Sequence, residues 1–295
     1  MNELKSNIAS AEKLATFPKR SDKTVGRLLL DAGKLKLHDI ELIEICQKEQ
    51  GLRFGEAAVK LGLVAEADIL QVLAQQFNYP YLQAGEGGFS DELVAAYQPF
   101  SPQVEALRGL RSQLRLRWFS GQQKHLALVG LGQGDGCSYM AANLAIVFSQ
   151  LGERTVLVDA NLRNSRQHKL FNLTQRHGLS DLIVGRTGVE AISRIPSFVD
   201  LSVLPAGTVP PNPQELLGRP TFAALLRELA KNYDVILLDT PSGGLYADTQ
   251  NIAAEAGAAL LVTRKHHTRM NDALVLQRQL TDAKAQIVGA VLNEF

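Results

Sequence analysis

Glycines recur at alternate positions in one stretch of this sequence, directly after a run of apolar residues. The apolar run is Leu126–Gly130, the glycines are Gly132, Gly134 and Gly136, and small and apolar residues follow from Cys137 at helical spacing. This order predicts a strand, a loop and a helix. Glycine lets the loop turn its amide groups toward one point, and the start of a helix adds the positive end of its dipole. We therefore expect a site for the phosphates of a nucleotide.

The side chains of this loop depart from the phosphate-binding loop called Walker A. That loop carries Gly-Lys-[Ser/Thr], in which the ammonium bridges the β- and γ-phosphates and the hydroxyl holds Mg²⁺. The three positions here read Gly136, Cys137 and Ser138, so the hydroxyl is present and the cation is missing. Losing one partner of a buried charge pair typically costs about 2–5 kcal/mol. We expect weak nucleotide binding and weak phosphoryl transfer unless another cation substitutes, and Arg163 is the nearest candidate in sequence.

The thiol of Cys137 has two interpretations. At a helix N-terminus a thiol can have a lowered pKa and be sensitive to oxidation. Alternatively, cysteine is a small residue that is tolerated once the cation has been lost. The second interpretation is favoured.

Two aspartates end apolar runs downstream of the glycine loop. Asp159 follows Thr-Val-Leu-Val, and Asp239 follows Val-Ile-Leu-Leu. Oxygen ligands suit Mg²⁺, so we expect Ser138 and Asp239 to hold this ion directly or through water. The adjacent residues His266 and His267 are not at metal-ligand spacing, and we expect both to be exposed.

Apolar runs alternate with helical patterns from residue 126 onward. Near-continuous apolar strands between helices are typical of a mostly parallel sheet that is covered on both faces. Ligands bind such sheets at the carboxyl ends of the strands. We therefore predict an α/β fold preceded by a small all-α domain. The predicted strands are Leu126–Gly130, Thr155–Asp159, Leu201–Leu204, Val235–Asp239, Ala258–Thr263 and Ile287–Leu292, and the clearest helices are Pro102–Trp118, Pro213–Lys231 and Arg269–Ala283.

The N-terminal third of the chain contains an internal repeat. The pattern that begins at Val25-Gly26 returns at Phe54-Gly55, displaced by 29 residues (55 − 26). Such a duplication marks a repeated supersecondary unit. Each copy predicts a helix that ends at Gly33 or Gly62 and a second helix behind it. We predict a flexible arm over 1–22, a helical domain over 23–82, a glycine-rich linker over 83–100 and the α/β domain over 101–295.

The composition limits the classes of function. The chain has 295 residues, of which 45% are hydrophobic and 21% charged, and its net charge of +1 argues against bulk nucleic-acid binding. Cys46 and Cys137, its two cysteines, lack metal-ligand spacing and suit a reducing cytoplasm. No apolar run approaches about 18 residues, so we expect neither a signal peptide nor a membrane span. Any membrane role would come through a partner.

The motifs of the α/β domain resemble those of the bacterial P-loop tyrosine kinases of exopolysaccharide synthesis. The resemblance covers residues 101–295. It includes Glu105-x-x-Arg108-x-x-Arg111, the strand end from Asp159 to Arg163, Asp239-Thr-Pro, Asp248, and the string from Leu204 to Leu217.

The resemblance implies a P-loop NTPase-like fold that binds ATP and Mg²⁺. It also implies tyrosine autophosphorylation in a ring of subunits that associate through Glu105, Arg108 and Arg111. A membrane chain-length-determinant protein, or co-polymerase, would activate the kinase, which would be cytoplasmic and peripheral to the inner membrane. Asp239 would support the metal, and Asp159 would organise the metal and the attacking hydroxyl. The implied nucleotide site comprises Gly134, Asp135, Gly136, Cys137, Ser138, Tyr139 and Arg163.

Four departures from this family predict a weak or inactive kinase. Cys137 replaces the lysine, Tyr139 the usual threonine and Asn161 the second carboxylate, and the last tyrosine of the sequence is Tyr246 rather than part of a tail cluster. Positioned charges carry phosphoryl transfer, so these changes favour a regulatory subunit. The alternative is an active autokinase or slow ATPase in which Arg163 substitutes for the lysine. A MinD-like ATPase is less favoured, because 131–133 lack a second lysine.

The repeated N-terminal segment resembles the N-terminal domain of type II secretion and type IV pilus ATPases. Some members of that family bind cyclic di-GMP through two Arg-Leu-Gly-led motifs. The second copy here reads Arg53-Phe54-Gly55, whereas the first reads Thr24-Val25-Gly26 and lacks the arginine. A packing or docking module is therefore favoured over a cyclic di-GMP sensor. With this segment added, the whole chain resembles the exosortase-associated subfamily of chain-length-determinant tyrosine kinases.

Overall fold

The computed structural model describes residues 24–76, 79–83 and 85–294. The predicted arm over 1–22 lies outside the described residues. The chain divides into two compact units, Met1–Tyr79 and Pro80–Phe295. Among the described helices, none is both long and apolar enough to cross a membrane.

The first unit consists of two helical hairpins that repeat each other. Its helices are α1 (Val25–Asp31), α2 (Leu37–Gln50), α3 (Phe54–Lys60) and α4 (Glu66–Gln76). The repeat extends to the turns, where Gly33 and Gly62 have φ angles of +68° and +69°. The first helix of each copy packs against the second helix of the other, α1 against α4 and α3 against α2. Neither hairpin therefore buries its apolar face alone. The shared core comprises Leu29, Leu35, Ile43, Cys46, Ala57, Ala58, Val64 and Val72.

The repeated glycines of this unit lie at close helix contacts. A Cβ atom on Gly26 would lie 2.9 Å from Cζ of Phe54, and one on Gly55 would lie 3.1 Å from Cγ2 of Ile69. We expect Gly26→Ala to destabilise α1–α4 by about 1–3 kcal/mol, the usual cost of overpacking, and Gly55→Ala to cost less. Hydrogen exchange followed by mass spectrometry measures the effect locally.

Gly109 provides the control, because a Cβ there would meet nothing within 4 Å. Gly109→Ala should stabilise its helix by about 0.5–1 kcal/mol. Unchanged exchange in α1–α4 of the Gly26→Ala variant would contradict the packing role.

The predicted linker over 83–100 is wrong beyond its glycine-rich start. A short 3₁₀ turn, Glu86–Gly88, is followed by helix α5 (Val94–Tyr97). Leu93, Ala95 and Ala96 are fully buried in the core of the second unit. Glycine composition describes only the first few residues of this stretch, whereas the apolar run after it packs like any other element of the domain.

The second unit contains a seven-stranded sheet in the order β3-β4-β2-β5-β1-β6-β7. All neighbouring strands are parallel except β3 and β4, so the predicted mostly parallel sheet is confirmed. The antiparallel β3 was missed, because two partly exposed polar residues carry no strand pattern. The strands are β1 (His125–Gly130), β2 (Thr155–Asp159), β3 (Ser193–Arg194), β4 (Leu201–Leu204), β5 (Val235–Asp239), β6 (Ala258–Arg264) and β7 (Gln286–Asn293).

Helices cover both faces of the sheet, as predicted. The predicted helix over Pro213–Lys231 is two helices, because Pro220 lacks an amide hydrogen and restricts the residue before it. The helices are α6 (Pro102–Arg117), α7 (Cys137–Ser149), α8 (Gln167–Leu170), α9 (Leu179–Ile183), α10 (Pro213–Leu217), α11 (Pro220–Asn232), α12 (Asp248–Ala256) and α13 (Met270–Asp282).

Alternate residues of β1 face two apolar layers. Leu126 and Leu128 pack with α6 and α7, whereas Ala127 and Val129 pack with the helices of the other face. Burial on both faces explains why the strands read as continuous apolar runs. Because β2, β5 and β1 are parallel neighbours at the centre of the sheet, their carboxyl ends lie side by side at the same edge of the sheet.

Candidate functional site

The loop between β1 and α7 has the backbone of a phosphate-binding loop. Gly134 and Gly136 have φ angles of +87° and +89°, which L residues with a side chain rarely adopt. Gly136 is the N-cap of α7, so the positive end of that helix faces the cleft that the loop lines. The cleft has a volume of about 1100 Å³ and includes the loop from Gly132 to Tyr139.

Asp135 stabilises the conformation of the loop through its side-chain and main-chain hydrogen bonds. Its side chain is 1% exposed. Its carboxylate accepts hydrogen bonds from the Gly132 amide (2.6 Å) and the Thr268 hydroxyl (3.2 Å), and it pairs with Nδ1 of His267 at 3.1 Å. Asn293 donates to its main-chain carbonyl at 2.8 Å. Asp135 was predicted in the nucleotide site, and its carboxylate is occupied by these loop contacts. His267 is exposed, as predicted, but its bond to Asp135 was missed.

The thiol of Cys137 points into the protein. Its Sγ donates to the carbonyl of Leu128 at 3.0 Å. Burial, followed by the nearby charge of Asp239, raises the pKa of the Cys137 thiol well above its usual value. The lowered pKa that one interpretation of Cys137 predicts is therefore wrong, because burial outweighs the helix dipole.

Asp159 and Asp239 lie on adjacent strands at matching positions of the sheet. Both are fully buried. Burial and the charge of Asp239 raise the pKa of Asp159 well above its usual value. Burial also raises the pKa of Asp239, although Gln167, Ser138 and Cys137 offset part of this effect. Keeping these two carboxylates ionised therefore costs free energy, and a bound cation would reduce that cost.

Gln167 joins these groups and was missed by the sequence analysis. Its side-chain amide donates to Oδ2 of Asp239 at 2.8 Å and to the carbonyl of Ser138 at 3.1 Å. Its main-chain amide donates to Oδ2 of Asp159 at 3.0 Å. Nothing in the sequence marks it, since its partners lie far away along the chain.

The donor set fits a magnesium ion. Oδ1 of Asp239 is buried and lacks a hydrogen-bond partner among the described residues. The Ser138 side chain lines the cleft and lies near enough to Asp239 to lower its pKa. A buried carboxylate oxygen without a donor calls for an explanation, and an oxygen-seeking cation supplies one.

Arg163, the predicted substitute for the lysine, is held by another carboxylate. Its Nε and Nη2 atoms bind Asp248 at 2.6 and 3.1 Å, and its guanidinium lies 4.4 Å from the ring centre of Tyr246. The side chain of Asp248 is 1% exposed, so releasing Arg163 would leave a buried charge unpaired. Arg163 lines the cleft but is fixed there by Asp248.

Two further arginines line the cleft, and sequence analysis missed both. Nη1 of Arg264 donates to the Gly134 carbonyl at 3.3 Å. Arg166 pairs with Glu92, with Nη2 and Oε1 2.7 Å apart. Among the described residues that line the cleft there is no lysine.

The predicted self-association motif on α6 makes contacts within the chain. Arg108 pairs with Glu105 at 3.0 Å and also donates to the Pro99 carbonyl. Arg111 donates to the carbonyl of Val147, at the end of α7, at 2.7 Å. The Glu105 side chain is largely exposed. Association through this motif stays a prediction.

Comparison with known proteins places this site in a family. The family model described as cellulose biosynthesis protein BcsQ matches residues 123–294. Tyrosine-protein kinase YwqD of Bacillus subtilis is 31% identical over 201 residues, which cover 68% of this chain and 85% of the relative. The kinase domain of the Escherichia coli tyrosine kinase ETK superimposes with a TM-score of 0.66 at 30% identity, covering 68% of this chain and 79% of that domain.

Other relatives are much longer than the region they share with this chain. Tyrosine-protein kinase wzc of Salmonella typhimurium is 30% identical over 204 residues, which cover 69% of this chain and 28% of the relative. In the relatives from Klebsiella pneumoniae and Ralstonia solanacearum, the chain spans 34% and 27% of the length. The match to YwqD, by contrast, extends over most of both proteins. The chain therefore belongs to the family of the cellulose biosynthesis protein BcsQ and is a homologue of the bacterial tyrosine-protein kinases.

Proposed function

We propose that this chain is a kinase-like subunit with a degenerate nucleotide site that regulates exopolysaccharide biosynthesis or chain length. It binds Mg²⁺–ATP weakly, transfers phosphate slowly or not at all, and acts with a membrane co-polymerase. The family relationship and the paired strand-end carboxylates support the nucleotide site. The side chains around the loop support its weakness.

The observation that carries the proposal is the side chain at position 137. The cysteine occupies the Walker lysine position, and its thiol carries no charge and donates to the carbonyl of Leu128. No lysine occurs among the described residues that line the cleft. The loss of one buried charge partner, about 2–5 kcal/mol, corresponds to at least a thirtyfold weaker interaction with the phosphates.

The remaining groups would still hold a nucleotide in place. The loop amides and the start of α7 would bind the phosphates, and Ser138 and Asp239 would hold Mg²⁺, which supplies charge neutralisation when bound. Asp159 accepts amide hydrogen bonds from Arg166 and Gln167, which orient its carboxylate beside Asp239. These residues position reactants, but they do not supply the missing ammonium.

A second candidate is an active autokinase or slow ATPase. Three arginines line the cleft, namely Arg163, Arg166 and Arg264. The positive charge of an arginine can bind phosphates as that of a lysine does. Asn161 argues against it, because its side chain accepts from the Asn164 amide at 3.0 Å and supplies no second carboxylate charge.

A phosphorylation assay separates the two candidates. The full-length chain is incubated with Mg²⁺ and radiolabelled ATP, and tyrosine phosphorylation is mapped by mass spectrometry. We expect no phosphotyrosine above the level of the Asp239→Ala variant. Tyrosine phosphorylation that disappears in this variant would reject the regulatory proposal and support the autokinase.

The partners and the N-terminal unit form part of the same proposal. We propose that the chain belongs to the exosortase-associated subfamily. It forms a homo-oligomer and binds a chain-length-determinant protein at the inner membrane. The first unit serves as a docking or packing module, and cyclic di-GMP is its alternative ligand. Close packing of Gly26 on Phe54 and of Gly55 on Ile69 supports the packing role.

A further inference from the structure

Three arginines line the cleft, and their contacts indicate which of them replaces the Walker lysine. Arg163 is bound in two places by Asp248, which is almost fully buried. Breaking a buried pair by moving one partner shifts an equilibrium by more than about a hundredfold. Arg163 therefore stays with Asp248 when a ligand enters.

Arg166 has a counter-ion that it can leave at little cost. Its guanidinium pairs with Glu92 at 2.7 Å, and the two side chains are 42% and 44% exposed. Exposed pairs of this kind are worth at most about fivefold in an equilibrium constant. A charge-assisted bond to phosphate is stronger, so a phosphate would compete successfully with Glu92.

The backbone of Arg166 is fixed beside the metal carboxylates. Its amide donates to Oδ2 of Asp159 at 3.1 Å. Arg166 also lines the same cleft as Ser138, the other proposed metal ligand. This combination, a fixed backbone and a releasable side chain, suits a group that moves onto a ligand.

Glu92 is also held at the cleft. Asn143, on the helix after the glycine loop, donates to the Glu92 carbonyl at 2.9 Å and accepts from the Ala95 amide at 2.9 Å. Glu92 and Tyr139 both line the cleft. Glu92 therefore places a negative charge at the cleft, where it attracts Arg166 and repels a phosphate.

We propose that Arg166 contacts the nucleotide phosphates in place of the missing lysine, and that Glu92 holds Arg166 away until nucleotide binds. This inference rests on the proposed nucleotide site and deepens it. When nucleotide binds, Arg166 exchanges its carboxylate partner, Glu92, for a phosphate. The carboxylate of Glu92 is then hydrated by solvent. Glu92 would therefore reduce affinity in two ways, by competing for the arginine and by repelling the anion.

Calorimetric titration of the full-length chain with Mg²⁺–ATP tests this exchange. We expect Arg166→Ala to weaken binding by about tenfold or more, in line with the loss of a charge-assisted hydrogen bond. Arg166→Lys should retain part of the affinity. Glu92→Gln should tighten binding by about threefold to fivefold. In the Arg166→Ala background the gain from Glu92→Gln should be smaller, because only the repulsion remains to be removed.

Two arginine variants complete the design. Arg227→Ala is the matched control, since Arg227 is exposed on α11 and outside the cleft lining, and it should bind as the wild type does. Arg264→Ala tests the competing arginine. Thermal melting of each variant checks that it is folded.

The outcomes separate this inference from the proposed function. Binding by the wild type that Arg166→Ala leaves unchanged would overturn the role of Arg166 alone. The same holds if Arg264→Ala causes the loss instead. No binding of Mg²⁺–ATP by the wild type at millimolar concentration would overturn both the inference and the proposed nucleotide site.

Discussion

Cys137→Lys should raise the affinity for Mg²⁺–ATP by about tenfold to a hundredfold, since a charge-assisted contact contributes about 1.5–3 kcal/mol. The new lysine would lie at the start of α7, where the loop amides and the helix dipole already favour an anion. It would also offset the negative charge of Asp239. Isothermal titration calorimetry of the full-length chain measures the change directly.

Cys137→Met is the matched control for this prediction. Methionine has a long, unbranched side chain like that of lysine but carries no charge, so it separates charge from bulk. We expect its affinity to stay within about threefold of the wild type, because a neutral side chain supplies no charge-assisted contact. Equal affinities for the lysine and methionine variants would mean that phosphates do not bind at the start of α7.

Asp239→Asn should stabilise the ligand-free protein at neutral pH, by about 1–3 kcal/mol, the range for relieving a buried, unsatisfied charge. Asparagine can still accept from the Gln167 amide, and it carries no charge that has to be buried. It also removes the repulsion between this residue and Asp159. Thermal unfolding should show an increase of about 2–4 °C for each kcal/mol.

The gain should depend on pH in a defined direction. The pKa of Asp239 is raised in the folded state, so the folded protein binds a proton more readily than the unfolded chain does. The wild type therefore loses stability as the pH rises from the unfolded pKa toward the folded pKa. The advantage of Asp239→Asn should be small near pH 4 and grow toward neutral pH. A constant advantage across this range would contradict the raised pKa.

Asp159→Asn is the informative contrast, because it changes the same charge in a different hydrogen-bond setting. The two oxygens of Asp159 accept from the main-chain amides of Asn161, Arg166 and Gln167. An asparagine NH₂ would face at least one of these donors, so we expect this variant to be less stable than Asp239→Asn. Mg²⁺ should stabilise the wild type and lose this effect in Asp239→Asn, since ligands that bind the folded state raise its stability.

Local patterns in the sequence were enough to predict the architecture around the cleft. The apolar runs before Asp159 and Asp239 and the glycines before Cys137 located three strand ends, which the structure brings together at the centre of the sheet. These features depend on strand and helix periodicity, which each segment carries by itself. The segment after residue 88 was misjudged for the same reason, since the glycines before it gave the local signal whereas its burial depends on packing against α7.

The sequence by itself determined the fold class and the position of the glycine loop, and it predicted that Cys137 stands where a Walker lysine would. Tertiary structure alone decided which side chains meet there. Gln167 reaches Asp239 across 72 positions of the chain, Glu92 reaches Arg166 across 74, and Asp135 pairs with His267 across 132. Contacts between side chains so far apart depend on how elements pack, and no local period encodes them. The sequence therefore predicted an absent lysine, whereas only the packing shows that Arg163 pairs with a buried carboxylate and Arg166 with an exposed one.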